Sequence, residues 1–216
     1  MLNSKLQRIF ALVGEATSIW NQVEEIWFLL FTGLLATTPR AITDTIYEQF
    51  QTGAMQRKLI MAVAPVALKP DIAKIKARDP AEHLRRRILR RIGQLNAQTS
   101  DLSGKRNAVI HSSFEIFHAR VPPRIVAISP HKISKLNNED HETYLTYLNQ
   151  DLNLLLLDML ELRELLIELN EGIGSRKVHY EFLRQRGLIV PVDEWAKERA
   201  LLLKSVKARN PPPELR

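Results

Sequence analysis

A permanent cation, an amide and an imidazole fall within the six residues Arg106-Asn107-Ala108-Val109-Ile110-His111. On a helix Asn107 and His111, four apart, share a face. Arg106 lies roughly 140° from His111 around the axis, so its side chain must curl, or sit in a first turn, to point the same way. An arginine and a histidine held together suit RNA cleavage without a metal. The ribose 2′-hydroxyl attacks the adjacent phosphate, the imidazole moves a proton near neutral pH, and the guanidinium neutralises charge growing on the phosphoryl oxygens. A single imidazole cannot easily be both base and acid, whereas two protomers meeting across a two-fold axis supply one of each. Two other Arg-to-His spacings compete. Arg78 to His83 contains Pro80 and opens a helix that needs capping groups there; Arg124 to His131 has Ile125 in place of the polar residue and reads as extended.

The rest of the chain offers no rival chemistry. There is no cysteine, which excludes disulfides, thiolate nucleophiles and Cys-ligated zinc. No Gly-rich phosphate loop and no HExxH occur, so neither a metal nor a cofactor is expected. The formal net charge of +7 over 216 residues suits a polyanionic partner, nucleic acid first and an anionic membrane surface more weakly. Charges interrupt every apolar stretch, Glu24 and Glu25 in the first and Asp158, Glu161 and Arg163 in the second, so no membrane span is expected. With no signal-peptide core, the expectation is a soluble, cytoplasmic chain.

The elements that must position Arg106 and His111 read as helices. Residues 2–36 form an amphipathic helix with a broad apolar face (Ile19, Trp20, Val23, Ile26, Trp27, Leu30, Phe31, Leu34), stopped by Thr37-Thr38-Pro39. A second helix runs from about Ala41 with Ile42, Ile46, Phe50, Leu59, Ile60 and Val63 inward, bent near Gly53 and ended by Pro65 and Pro70. Asp79-Pro80 opens a third helix with an inner stripe Leu84, Ile88, Ile92, Leu95 and an opposite face of arginines. Of these, Arg85, Arg86 and Arg90, with Lys105 beside the motif, are the expected RNA-binding side chains. Residues 96–104 read as a polar connection in which Asp101 or Ser103 caps a short helix carrying Arg106 to about Ser113.

Beyond the motif, Val121-Pro122-Pro123 and Arg124 to Ile128 suggest a small β-hairpin or an irregular arm. Residues 138–171 give the longest helix, with a seam Leu148, Leu152, Leu155, Met159, Leu162, Leu166, Leu169 and acidic outer positions Asp151, Asp158, Glu161, Glu164, Glu168 and Glu171. Leu154, Leu156, Leu157, Leu160 and Leu165 make it apolar beyond one seam, which points to a second buried face such as a homodimer interface. After Gly172 and Gly174 a basic appendage follows: a short helix around Tyr180 to Arg186, extended Leu188 to Pro191, and a helix capped by Asp193. Residues 1–172 are thus expected to form one bundle, and 173–216 a basic C-terminal helical extension.

Over roughly residues 1–170 this pattern resembles a family. Arg106-Asn107-Ala108-Val109-Ile110-His111 is similar to the Arg, polar residue, short spacer, His signature of HEPN (higher eukaryote and prokaryote nucleotide-binding) domains. Trp20 to Leu35, with Glu24 and Glu25, looks like their first helix. The resemblance implies an all-α, up-and-down bundle that dimerises with the two motifs facing each other. It also implies metal-independent endoribonuclease activity in toxin–antitoxin or anti-phage (abortive-infection) systems, where a cognate antitoxin would be a further partner. Carried over by position, Arg106 contacts the scissile phosphate, His111 transfers protons and Asn107 positions phosphate or ribose. The alternative is a non-catalytic dimer of the same kind that binds RNA or a protein.

Overall fold

Breaks in helical periodicity set the element order. The computed structural model describes residues 4–69, 79–110, 113–117, 124–129, 132–134, 138–171 and 192–208. Along them run α1 (Ser4–Leu34), α2 (Arg40–Glu48), α3 (Gly53–Ala67), α4 (Pro80–Ile110), β1 (Ser113–Phe117), β2 (Arg124–Ser129), β3 (Lys132–Ser134), α5 (Asn138–Glu171) and α6 (Val192–Lys207). The class is all-α. The three short strands pair antiparallel in the order β1-β2-β3, with Glu115 opposite Val126 and Ile128 opposite Ile133. The Val121-Pro122-Pro123 turn, the helix expected near Tyr180, Gly187 and the Leu188 to Pro191 stretch lie outside the described residues. So do Arg78 and His131 of the competing pairs.

Contacts divide the chain into two compact units, one of Met1–Asn21, Asp101–Leu154 and Glu198–Arg216, the other of Gln22–Ser100 and Leu155–Lys197. The division cuts across chain order. In the first unit Leu6, Ile9, Ala16, Ile19 and Trp20 of α1, Leu102 and Val109 of α4, and Leu145, Leu148 and Leu152 of α5 are buried. In the second the buried set includes Val23, Ile26, Trp27, Leu30, Phe31, Ile60, Ala64, Ile88, Ile92 and Leu95 with nearly every α5 position from Leu155 to Ile167. Each large aliphatic or aromatic side chain so placed contributes about 1.5–3 kcal/mol relative to exposure.

The Leu-rich helix contributes to both cores, Leu145, Leu148 and Leu152 to the first unit and the stretch from Leu155 to the second. Of the surplus leucines, Leu156, Leu157, Leu160 and Leu165 are buried by the chain itself, and Leu154 is part-exposed. Two acidic positions expected on its outside are also buried: Asp158, which meets Arg91 at 2.8 Å, and Glu164, beside Arg163. Burial lowers the Arg163 pKa, and the carboxylates of Glu164 and Glu171 oppose that shift. Where α1 meets α5, a Cβ on Gly33 would lie 2.7 Å from Leu166 Cδ2, and Asn170 Nδ2 donates to the Gly33 carbonyl at 2.8 Å. Only a glycine allows so close an approach.

The single second helix is two helices, because Gly53 starts α3 instead of bending a longer one. Thr52 is its N-cap, accepting from the Met55 N–H at 3.3 Å. A Cβ at Gly53 would come within 2.5 Å of the Glu24 carboxylate, which lies against this helix start and pairs with Arg57 at 3.2 Å. Ile42 and Ile46 face outward, 50% and 37% exposed, while Thr43 and Tyr47 are buried. Tyr47 wins the inner position by stacking obliquely against Phe28 and Phe31, at 5.1 and 5.3 Å between ring centroids. Pro65 lies inside α3, near enough its end that the one missing donor does not break it. Asp193, expected to cap the last helix, falls within its first turn.

The largest correction concerns residues 96–104, which are helix. α4 continues without a break from Pro80, capped by Asp79 Oδ1 accepting the Ala81 N–H at 2.9 Å. The polar side chains return their hydrogen bonds to the helix's own carbonyls: Thr99 to Leu95 at 2.7 Å, Ser100 to Asn96 at 2.9 Å. Thr99 also accepts the indole N–H of Trp27 at 3.2 Å, so a threonine at the buried seam satisfies a tryptophan in the core.

Candidate functional site

The continuity of α4 fixes where Arg106 points. Inner positions Leu95, Thr99, Leu102, Arg106 and Val109 alternate four and three apart, so Arg106 occupies a seam place between buried Leu102 and Val109. It does not stand at the frayed first turn of a short helix; it stands one turn before the end of a long one. The guanidinium carbon lies 5.7 Å from the ring centroid of Trp20 on α1, within cation–π range. Its Nη1 donates to Asn107 Oδ1 at 2.9 Å. Trp20 is buried, Arg106 half-buried and Asn107 exposed. Asn107, expected from the resemblance to position phosphate or ribose, accepts from the arginine here. His111 lies outside the described residues.

Lys105 is exposed and pairs with Asp101 at 2.7 Å one turn earlier, so Asp101 is a helix partner and not a cap. Such a surface pair is worth about 0.3–0.5 kcal/mol, little enough for a phosphate to displace it. Across from it on α5, burial pushes the Tyr144 phenol up to about 12, with the Asp101 and Asp151 charges adding to the effect. Burial also raises Tyr47, helped by Glu24 and opposed by Arg57.

The sign of the resulting pH dependence follows from proton counts. Below about pH 10, the ordinary phenol pKa, both states hold these protons. Above it the unfolded chain releases protons that the folded chain keeps, so stability falls as pH rises. A spectrophotometric titration should show Tyr47 and Tyr144 ionising later than an exposed phenol. Tyr144→Phe should remove one late step and flatten the alkaline loss of stability; an unchanged titration curve would refute the assignment.

The arginine face of α4 is partly committed to the fold. Arg85 meets the buried Glu82 at 2.7 Å, Arg87 meets Glu161 at 3.3 Å, and Arg91 is tied to Asp158. Arg86 and Arg90 are exposed and make no ion pair among the described residues. Of the expected RNA-binding side chains, these two and Lys105 best suit an external polyanion. Among the described residues no cluster of three His, Asp or Glu side chains is placed to hold a metal ion, and no helix is long and apolar enough to cross a membrane.

Sequence reading missed Trp20 as the partner of Arg106. Its inward position was legible from helical spacing; its pairing with a residue 86 positions away, the span from Trp20 to Arg106, required the packed bundle. No family model matches the chain, and neither the curated proteins nor the solved structures hold a match to it.

Proposed function

We propose that the chain is a metal-independent endoribonuclease of HEPN type, acting as a homodimer, with a toxin role in toxin–antitoxin or anti-phage defence. The observation that carries this reading is Arg106: a cation on an inner seam between the buried Leu102 and Val109, held by Trp20 and Asn107. In sequence it stands five residues before His111, the one group nearby that can move a proton at neutral pH.

In the proposed reaction the 2′-oxygen forms a bond to phosphorus as the P–O5′ bond breaks. One imidazole takes the 2′-hydroxyl proton, and the protonated imidazole of the second copy gives one to O5′. Arg106 faces the phosphoryl oxygens as their charge grows. The products are a 2′,3′-cyclic phosphate and a 5′-hydroxyl. Arg86, Arg90 and Lys105 supply sequence-independent attraction to the backbone, so binding should weaken steeply with salt.

The test is incubation with single-stranded RNA in EDTA, wild type beside His111→Ala. The wild type should generate cyclic-phosphate ends and the variant should lose about 10²–10⁴-fold in rate, the usual share of general acid–base catalysis. Equal rates for the two proteins, or no cleavage by the wild type, would remove the reading. Tight RNA binding without turnover would leave the non-catalytic RNA-binding alternative, for which the exposed Arg86 and Arg90 are the supporting observation.

A further inference from the structure

We propose that Trp20 is a positioning residue for Arg106, holding the guanidinium across its indole so that a phosphodiester meets a cation already oriented. This rests on reading Arg106 as the phosphate-facing cation of the RNA site. An arginine side chain has many rotamers, and a loose one forfeits that freedom on binding an anion. Here part of that ordering is done beforehand. The seam position sends the side chain inward from α4, the indole face lies 5.7 Å from the guanidinium carbon, and Asn107 takes Nη1 at 2.9 Å.

The contrast in burial gives the arrangement its direction. Trp20 is 6% exposed, so the ring is a fixed wall supported by the core, while the arginine it carries is half-buried. Tryptophan has the strongest cation-attracting face of the aromatic residues, and partial removal from water strengthens that attraction. For folding alone, an aliphatic side chain between Leu102 and Val109 would fill the seam without placing a charge there. A charge in this place is what a binding role for the pair requires. A plain structural role for Trp20, covering the arginine's methylenes, predicts no dependence of RNA binding on the pair.

A double-substitution cycle separates the two. Wild type, Trp20→Leu, Arg106→Ala and the double variant are first compared by thermal melting. Their affinities are then measured, at one fixed salt concentration, for a labelled single-stranded RNA whose 2′-O-methyl riboses cannot be cleaved. Trp20→Leu should weaken binding about 5- to 30-fold, the range of a partly desolvated cation–π contact. In the Arg106→Ala background it should change affinity by less than about twofold, because the residue it acts through is gone. If Trp20→Leu does not fold, Trp20→Phe, which keeps a ring face, replaces it with a smaller loss expected and the same disappearance. Losses that multiply independently in the double variant overturn the positioning role and leave the ribonuclease reading standing. Coupled binding with no cleavage of ordinary RNA supports the positioning role and removes the ribonuclease reading. Absence of RNA binding by the wild type overturns both.

Discussion

Glu24→Ala should lower stability by about 3 kcal/mol, near the lower end for removing one partner of a buried ion pair. The Arg57 side chain is 5% exposed, and its Nη1 lies 3.2 Å from Glu24 Oε1. Its Nε is also buried without a hydrogen-bond partner among the described residues. The carboxylate therefore compensates for most of the cost of taking a guanidinium out of water, and without it the charge stays buried and unbalanced. Glu24 itself is 27% exposed, so water softens the loss and the effect should not reach the upper end of the range. Gly53→Ala should act in the same direction, because its new methyl needs the space the carboxylate occupies. Pairing Glu24→Ala with Arg57→Met should recover part of the loss, since no charge is then left behind. Urea melts of the single and double variants decide the matter. A double variant as unstable as the sum of the singles would show that the two side chains do not balance each other.

Arg106→Leu should separate stability from function. The substituent sits between the buried Leu102 and Val109 on α4, so the melting temperature should hold or rise. RNA cleavage should fall about 10²–10³-fold, the cost of removing one preorganised group that stabilises developing charge. Arg106→Lys should restore little. An ammonium spreads less well over the Trp20 face, and it lacks the planar fork that lets one nitrogen bind Asn107 while others remain directed elsewhere. Initial rates in EDTA beside thermal melts give both readouts from the same proteins. Cleavage within about threefold of wild type for Arg106→Leu would place the chemistry elsewhere, since an oxyanion-stabilising group is worth far more than that.

Several features yielded to sequence reading because their causes are local. Thr37-Thr38-Pro39 ends α1 since proline and β-branched residues cannot continue a helix cheaply, and Asp79-Pro80 begins α4 since a capping carboxylate followed by proline suits a first turn. The apolar seam from Leu148 to Leu169 runs through α5 without a break.

Other features turned on competition between local preference and packing. Asn96 to Gly104 is rich in residues that favour caps and loops, yet Leu95, Thr99 and Leu102 bury themselves and carry the helix through. On α2 the isoleucines lost the inner face to Tyr47, because Phe28 and Phe31 provide an aromatic surface that only the folded unit assembles. Asp158 and Glu164 read as solvated and are buried, because Arg91 and Arg163 reach them.

The sequence by itself determined the all-α class, where α1 stops and α4 starts, and which residue types could meet an RNA phosphate. Those properties depend on periodicity, capping and functional groups, each readable within a few residues of chain. Only the tertiary structure decided that Arg106 lies on the inner seam of a continuous α4, across the face of Trp20, with Asn107 as its partner. Helix spacing specifies a direction around an axis; what a side chain meets in that direction depends on which helix packs there, and that is settled by burial summed over the whole unit.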